Sequence, residues 1–302
     1  MPSTLASQPI QLAPQAIAAL TEPTSIAFVQ QLQTVPVSTE LHSAPIQTAY
    51  VRSGAVTTAP PLLLIHGFDS SVLEFRRLLP HLAAHCETWA VDLLGFGFTD
   101  RPTHVSYSPA TIKTHLYATW QQLIQRPVVL VGASMGGAAA IDFALTYPEA
   151  VAQLVLLDSA GFAAGPAMGR LMIPPLDRWA TNFLRNPKVR QKISEKAYCD
   201  RTGASRDAQR CAALHLAQPR WAEALISFTK SGGYNFLSQR ITDLEPETIV
   251  IWGEQDAILG TADASRFRKA IRRSRLVWIP NCGHVPHLEQ PTRTADIILP
   301  QY

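Results

Sequence analysis

The stretch that decides the fold is residues 128–140, which read VVLVGASMGGAAA. An apolar run leads into the pentapeptide GASMG, and further small residues follow it. A G-x-S-x-G pentapeptide between a buried strand and a helix is typical of a sharp turn that exposes a serine hydroxyl, here that of Ser134. Such a pentapeptide also arises by chance in roughly one chain in ten of this length. An ordinary tight turn is therefore the alternative, and the surrounding sequence has to distinguish the two.

The composition is that of a globular chain with a sizeable apolar core. The 302 residues are 47% hydrophobic and 16% charged, and these proportions exclude a wholly disordered protein. The formal net charge is only +3. One basic cluster, residues 266–275, alternates with apolar residues at helical spacing, and we interpret it as a solvated helix face. We expect no nucleic-acid partner, and no membrane span because no apolar run approaches the roughly 18 residues required.

The cysteines indicate a reducing compartment. The four of them, Cys86, Cys199, Cys211 and Cys282, lie far apart and form no C-x-x-C pair. This pattern is typical of reduced thiols rather than of a disulfide framework. The first residues lack a basic start followed by an apolar segment, so no secretory signal is evident. We therefore expect a cytoplasmic protein.

Short apolar strands alternate with helical stretches over most of the chain, which predicts an α/β fold with a mostly parallel central sheet flanked by helices. The alternation stops at 161–238, where amphipathic helical stretches occur without a convincing strand. The predicted division is an N-terminal arm at 1–33, loose or forming a short helix, a core at 34–160 and 239–302, and a helical cap at 161–238. Strands are predicted over 35–39, 46–52, 62–65, 88–92, 127–131, 154–158, 248–252 and 276–279, and helices over 72–84, 111–125 and 135–147.

The order of polar residues along the chain favours a nucleophilic serine. A serine hydroxyl is a weak nucleophile and needs a general base that a carboxylate orients. In a fold of this kind the expected order is Ser, then Asp or Glu, then His. Asp256 and His284 each follow a predicted strand, at the sheet edge where open α/β folds bind ligands. We therefore predict a triad of Ser134, Asp256 and His284.

Three other residues compete for the acid and base roles. Glu254 follows the same strand as Asp256, and Asp158 ends the strand predicted over 154–158. Some relatives of this fold place the acid at the position of Asp158. His287 lies three residues beyond His284, where we expect a capping or packing role.

The same reasoning predicts the donors that would bind a developing oxyanion. The backbone N–H of Met135 follows the serine at the start of a helix, where the helix dipole favours negative charge. A second N–H, that of Phe68, follows His66 and Gly67 at the end of a predicted strand. We expect His66 to be structural rather than a metal ligand, because the sequence has neither an H-E-x-x-H motif nor a histidine cluster.

Five motif-like stretches succeed one another between residues 62 and 291: LLLIHGFDSS, VDLLGFGFTDRP, LVGASMGGAAA, VIWGEQD and PNCGHVPHLEQP. Together they resemble the α/β-hydrolase superfamily, in the branch with a helical cap over the site. The resemblance implies the triad and oxyanion hole given above, and neither a cofactor nor a metal. Relatives with this core include carboxylesterases, haloperoxidase-like esterases and carbon–carbon bond hydrolases. Ser134 argues against epoxide hydrolases and haloalkane dehalogenases, which use an aspartate nucleophile.

The resemblance leaves the substrate open. Relatives that cleave carbon–carbon bonds have a glycine-rich loop after the His-Gly pair, whereas this chain has Asp69-Ser70-Ser71. We therefore expect hydrolysis of a small or medium apolar carboxylic ester. The alternatives are carbon–carbon or thioester cleavage with the same triad, and a non-catalytic ligand receptor. Aromatic and methionine side chains predict an apolar pocket under the cap, although most of them are expected to form the core of the cap: Phe162, Met168, Met172, Trp179, Phe183, Trp221, Phe228 and Phe236.

Overall fold

The computed structural model describes residues 6–162 and 174–299, which form one mixed β-sheet with helices on both faces. All eight predicted strands are present, and a two-residue strand joins the sheet near the N-terminus. The strands are β1 (Gln8–Pro9), β2 (Gln33–Thr39), β3 (His42–Ser53), β4 (Leu62–Ile65), β5 (Thr88–Val91), β6 (Val128–Ala133), β7 (Val151–Leu157), β8 (Glu247–Gly253) and β9 (Ser274–Ile279).

The sheet order is β1-β2-β3-β5-β4-β6-β7-β8-β9. Pairing is antiparallel from β1 to β3 and between β3 and β5, and it is parallel from β5 through β9. Every residue of β4, β5 and β6 is buried, as expected for central strands covered on both faces. This architecture confirms the predicted fold class.

Alternate side chains of the central strands enter two separate apolar cores. Leu62 and Leu64 of β4 belong to one core, whereas Leu63 and Ile65 belong to the other. The period of two along a strand produces this division, because successive side chains point to opposite faces of the sheet. A continuous apolar run is therefore needed to cover both faces.

The helices follow the predicted pattern with two differences. No continuous helix spans 72–84: a 3-10 turn (Val72–Phe75) precedes a short helix at Leu79–Ala83, because Pro80 lacks the N–H needed to continue a helix through this stretch. The basic cluster is exposed, but only its first half is helical, and Ser274 already begins β9. The helices are α1 (Pro14–Ala18), α2 (Pro23–Gln31), α3 (Leu79–Ala83), α4 (Pro109–Leu123), α5 (Met135–Thr146), α6 (Leu176–Arg185), α7 (Pro187–Ala197), α8 (Arg206–Ala213), α9 (Trp221–Ser231), α10 (Ala262–Ala270), α11 (Pro286–Glu289) and α12 (Pro291–Ile298).

The described part of the cap segment, residues 174–238, contains α6 to α9 and short 3-10 turns but no strand. The N-terminal arm packs against it. Asp207 of α8 accepts hydrogen bonds from the Glu22 N–H (3.0 Å) and the Ser25 hydroxyl (2.5 Å), and Phe28 and Leu32 are buried. The arm is therefore a packed segment with two short helices. Among the described residues, the helices lack the combination of length and apolarity needed to cross a bilayer.

Candidate active site

Ser134 occupies a strained turn between β6 and α5. Its φ of 52° and ψ of −119° lie outside the backbone dihedral regions that non-glycine residues favour. The surrounding glycines allow this close approach: a Cβ at Gly132 would overlap the carbonyl of Gly136, and a Cβ at Gly136 would overlap that of Ile65. The Ser134 N–H also donates to the Leu157 carbonyl (2.9 Å), which fixes the turn to β7. The G-x-S-x-G stretch therefore forms the sharp strand-to-helix elbow that the sequence predicts.

Asp256 and His284 are brought together at the same edge of the sheet. Asp256 follows β8 and His284 follows β9, and their Oδ2 and Nδ1 atoms are 2.9 Å apart. The other oxygen of Asp256 accepts from the Ile258 N–H (2.7 Å) and the Leu259 N–H (3.1 Å). Both side chains are buried. This geometry fixes the imidazole by one nitrogen and leaves Nε2 as the second ring nitrogen for proton transfer.

The loops that carry this pair are fixed to each other and to the cap segment. Gln255 bridges them, since its N–H donates to the Cys282 carbonyl and its Oε1 accepts from the Cys282 N–H, both at 2.9 Å. The His284 N–H donates to the carbonyl of Ala197, at the end of α7 (2.7 Å). The Cys282 thiol is buried, which raises its pKa well above the ordinary value. The position of His284 thus depends on both the core and α7.

The three alternative residues do not form the hydrogen bond to His284 that Asp256 forms. Glu254 is exposed. Asp158 is buried beside Asp256, and its Oδ1 accepts from the Gly253 N–H (3.0 Å). Burial and the negative charge of Asp256 raise the pKa of Asp158 well above its ordinary value. His287 is buried against the Phe75 ring, and its Nε2 is 2.9 Å from Glu74 Oε1.

The loop after β4 runs directly beside the elbow at Ser134. A Cβ at Gly67 would lie 3.4 Å from the Cβ of Ser134. Phe68, whose N–H is the predicted oxyanion donor, follows immediately, and Met135 begins α5, where the first N–H groups have no partner within the helix. His66 is fully buried, with Nδ1 2.8 Å from the Gly67 carbonyl and Nε2 accepting from the Leu93 N–H. Burial lowers the pKa of His66 to about 4, so the ring is neutral at pH 7.

Glu74 holds this loop in place by a hydrogen bond, a role that no sequence pattern indicated. Its carboxylate accepts from the Gly67 N–H (2.9 Å) and contacts His287, which connects the loop to the segment after β9. Burial alone would raise the pKa of Glu74, but the hydrogen bond and charge of His287 outweigh it and lower the pKa to about 2. Glu74 is therefore an anion that fixes Gly67 in place.

A cavity of about 460 Å³ opens onto Ser134 and His284. Its walls are mostly apolar, and the cap segment contributes much of them. This volume suits a small or medium organic ligand. The lining residues from the cap segment include Leu184, Ser194, Tyr198, Cys211 and Leu216.

The aromatic residues named above for the cap suggest an apolar pocket, although most are expected to form the core of the cap. Within the described part of the chain, none of them lines the cavity. Trp221 and Phe228 are buried in the cap segment, and Trp179, Phe183 and Phe236 are exposed. Neither these nor Phe162 line the cavity, and Met168 and Met172 lie outside the described residues. Within the cap segment, the residues that line the cavity lie on α6, α7 and α8 or just after α7 and α8. The sequence pattern did not reveal the orientation of these helices.

The trio Asp158, Asp256 and His284 has ligand atoms within 4.8 Å of one another, a spacing that a cation could use. A hydrogen bond between His284 and Asp256, however, already engages the Nδ1 atom that would face such an ion. The chemistry that best fits the cluster is proton transfer through an oriented imidazole.

The family of the chain follows from comparison with known proteins. Residues 62–297 match the alpha/beta hydrolase family, so the chain belongs to that family. It is 31% identical over 297 residues to the alpha/beta hydrolase domain-containing protein VTE7 of Arabidopsis thaliana, and the match covers 94% of this chain and 88% of that protein.

Other relatives in the family differ in chemistry. The chain is 27% identical over 241 residues to 2-hydroxy-6-oxo-2,4-heptadienoate hydrolase of Pseudomonas putida, covering 76% of this chain and 84% of that enzyme. Among solved structures, it resembles a thermophilic esterase from Thermogutta terrifontis with a TM-score of 0.73 at 24% identity, covering 88% of this chain and 96% of that one. The structural likeness shows the fold, and the family contains both carbon–carbon bond hydrolases and esterases.

Proposed function

We propose that this protein is a serine hydrolase that cleaves small or medium apolar carboxylic esters through an acyl-enzyme. One observation carries the proposal: Ser134 and His284 line the same apolar cavity, and His284 is hydrogen-bonded to the buried Asp256. A nucleophile, a base and an orienting carboxylate at one cavity are what acyl transfer requires.

In the proposed reaction His284 donates its Nδ1–H to Asp256, so that Nε2 is free to accept the hydroxyl proton of Ser134. The Ser134 oxygen attacks the ester carbonyl, and the N–H groups of Phe68 and Met135 stabilise the resulting oxyanion. The tetrahedral intermediate collapses, the C–O bond to the alcohol breaks, and His284 transfers its proton to the departing oxygen. Water then attacks the acyl group with His284 as base, which releases the acid and restores the serine.

The ester assignment rests on the cavity and the loop after β4. The apolar walls favour uncharged acyl or alcohol groups. Three arginines, Arg76, Arg185 and Arg190, also line this cavity, and Arg190 is paired with Asp69 at 2.6 Å. The four cysteines are free thiols, which supports the proposal that the enzyme works in the cytoplasm.

The test is labelling with a fluorophosphonate probe, with wild type and Ser134→Ala compared, and hydrolysis of p-nitrophenyl acetate and butyrate followed in parallel. We expect labelling and turnover in the wild type and loss of both in the variant. Ester turnover that is unchanged in Ser134→Ala contradicts the proposal. A wild type that neither labels nor turns over esters indicates instead a ligand receptor.

The ester and carbon–carbon alternatives are separated by substrate. 2-Hydroxy-6-oxo-2,4-heptadienoate, the compound in the name of the Pseudomonas putida relative, and a thioester are assayed beside the p-nitrophenyl esters. A kcat/KM for the dienoate or the thioester above that for every ester contradicts the ester assignment while leaving the triad in place.

A further inference from the structure

Asp69 is the second residue after Gly67, in the loop after β4, which we call the core loop. At Asp69 the core loop contacts three elements of the cap segment. Its Oδ2 accepts from Arg190 of α7 (2.6 Å). Its Oδ1 accepts from the Trp221 indole N–H of α9 (2.8 Å) and lies 3.2 Å from His215 Nε2, in the 3-10 turn before α9. The Asp69 side chain is only 9% exposed. One core carboxylate thus binds three separate parts of the cap segment.

The contact extends to the backbone on both sides. Arg190 also donates to the Asp69 carbonyl (3.4 Å) and to the Ala212 carbonyl of α8 (2.8 Å). Asp69 has a φ of 49°, in the left-handed region, so this residue forms a sharp turn directly after Phe68. The Phe68 N–H lies in the Gly67–Phe68 peptide plane, which shares the Phe68 α-carbon with the Phe68–Asp69 plane. Holding Asp69 therefore restricts the direction of the Phe68 N–H.

The electrostatics favour a permanently charged carboxylate. Burial alone would raise the pKa of Asp69, but the hydrogen bond and charge of His215 and the charge of Arg190 outweigh it, and the pKa lies below its ordinary value. Burial lowers the pKa of His215, so at neutral pH the counterion is Arg190. The pair is largely shielded from water, with side-chain exposures of 18% for Arg190 and 9% for Asp69. Removing one partner is therefore costly, because the remaining charge is left without its counterion.

We propose that Asp69 is a positioning residue through which the docked cap segment holds the Phe68 N–H in the oxyanion hole. The inference rests on the proposed function, because it assigns a cause to the geometry of the same hole. The core loop lacks this anchor unless α7, α8 and α9 are in place. Transition-state stabilisation is therefore coupled to docking of the cap.

The central test compares Asp69→Asn with Asp177→Asn. Asparagine tolerates the left-handed conformation and keeps an acceptor for Trp221, but it removes the charge opposite Arg190. Asp177 is a matched control, since it is also a buried acid paired with a cation, Lys230 of α9 (2.9 Å), but it joins two cap helices and does not contact the core loop.

The readouts are kcat and KM for p-nitrophenyl butyrate, and affinity for a trifluoromethyl ketone and its parent methyl ketone. The fluorinated ketone forms a hemiketal oxyanion on the serine, whereas the parent ketone measures ground-state binding. For Asp69→Asn we expect kcat and trifluoromethyl ketone affinity to fall at least tenfold, with KM and methyl ketone affinity within threefold. For Asp177→Asn we expect kcat within twofold of wild type, even where the thermal midpoint falls.

Two further variants keep the test decisive if Asp69→Asn folds poorly. Trp221→Phe removes one hydrogen bond and keeps an aromatic ring, and we expect kcat to fall by a few-fold with KM unchanged. Arg190→Met should lower kcat in the wild type but not in the Asp69→Asn background, because residues that act as a unit are not additive. Normal kcat in Trp221→Phe and Arg190→Met overturns the inference.

The two proposals fail in different ways. If the wild type labels and Ser134→Ala does not, but Asp69→Asn matches Asp177→Asn in kcat and ketone affinity, only the positioning role of Asp69 is wrong. If Ser134→Ala retains the wild-type ester turnover, the proposed function is wrong, and the role of Asp69 falls with it.

Discussion

The carboxyl groups of Asp158 and Asp256 lie side by side, each with an oxygen within 4.8 Å of the other and of a His284 ring nitrogen. A negative charge on one buried carboxyl disfavours ionisation of a second carboxyl beside it. One oxygen of Asp256 accepts from two backbone N–H groups, and the other faces His284 Nδ1. Burial and the negative charge of Asp256 raise the pKa of Asp158 well above its ordinary value, which favours the neutral form of the Asp158 carboxyl.

Because only Asp256 is hydrogen-bonded to His284, we expect different outcomes for the two aspartates. In the proposed mechanism Asp256 orients the imidazole of His284 and stabilises the imidazolium, so we expect Asp256→Asn to lower kcat by about 10⁴-fold. Asp158→Asn replaces a neutral carboxyl with a neutral amide, so kcat should stay within about threefold of wild type. Steady-state ester hydrolysis measures both, with the exposed Glu254→Gln as control. A loss in Asp158→Asn as large as that in Asp256→Asn would show that the acid had been assigned to the wrong residue.

The elbow glycines predict a difference in stability. A Cβ at Gly136 would overlap the Ile65 carbonyl, so we expect Gly136→Ala to lower the free energy of unfolding by about 2 kcal/mol or more. A Cβ at Gly67 would meet its neighbours only at ordinary contact distances of 3.4 Å and above. Gly67→Ala should therefore change stability by less than about 1 kcal/mol. Urea unfolding followed by circular dichroism checks both, and equal losses would contradict the packing of the elbow.

The cavity predicts how acyl chain length is selected. Ser194 lines the cavity from α7, a helix with no fully buried residue, so a bulky side chain there fills space without disturbing a core. We expect Ser194→Trp to lower kcat/KM at least tenfold for p-nitrophenyl octanoate but less than threefold for the acetate. Lys192→Trp, on the exposed side of the same helix, is the control and should leave both values unchanged. Equal losses for the two esters would place the acyl chain elsewhere.

Buried His115 predicts loss of stability in mild acid. Its Nε2 is 2.8 Å from the Thr48 hydroxyl, and burial lowers its pKa to about 4 from 6.5. Because the unfolded chain binds the extra proton between these values, this contribution to stability is complete above pH 6.5 and is lost as pH falls towards 4. Between pH 7.5 and pH 5, the free energy of unfolding of His115→Gln should therefore fall by about 2 kcal/mol less than that of the wild type.

Urea unfolding at the two pH values measures this difference, with the exposed His85→Gln as control. We expect His85→Gln to follow the wild type. If His115→Gln loses as much stability as wild type over the same interval, His115 does not remain neutral in the folded protein.

The sheet and the elbow could be predicted from the sequence, because their causes are local. A buried strand requires a continuous apolar run, and a turn as tight as that at Ser134 requires small neighbours, so both leave a pattern within a few residues. The carboxyl ends of parallel strands share one edge of the sheet, which is why the sequence alone predicts that Asp256 and His284 lie close together. Local pattern was misleading at 72–84, where helical periodicity continued through Pro80.

The walls of the cavity and the anchor of the core loop could not be predicted in this way. Asp69 contacts residues 121, 146 and 152 positions further along the chain, and no periodicity links such distant positions. The aromatic residues of the cap segment suggested pocket walls, whereas packing left some buried and others exposed and turned small and aliphatic side chains towards Ser134. Secondary structure and the shared edge of parallel strands follow from backbone geometry, so the sequence determined them. Contacts between residues far apart in the chain follow from how the helices pack on the sheet, so only the tertiary structure decided them.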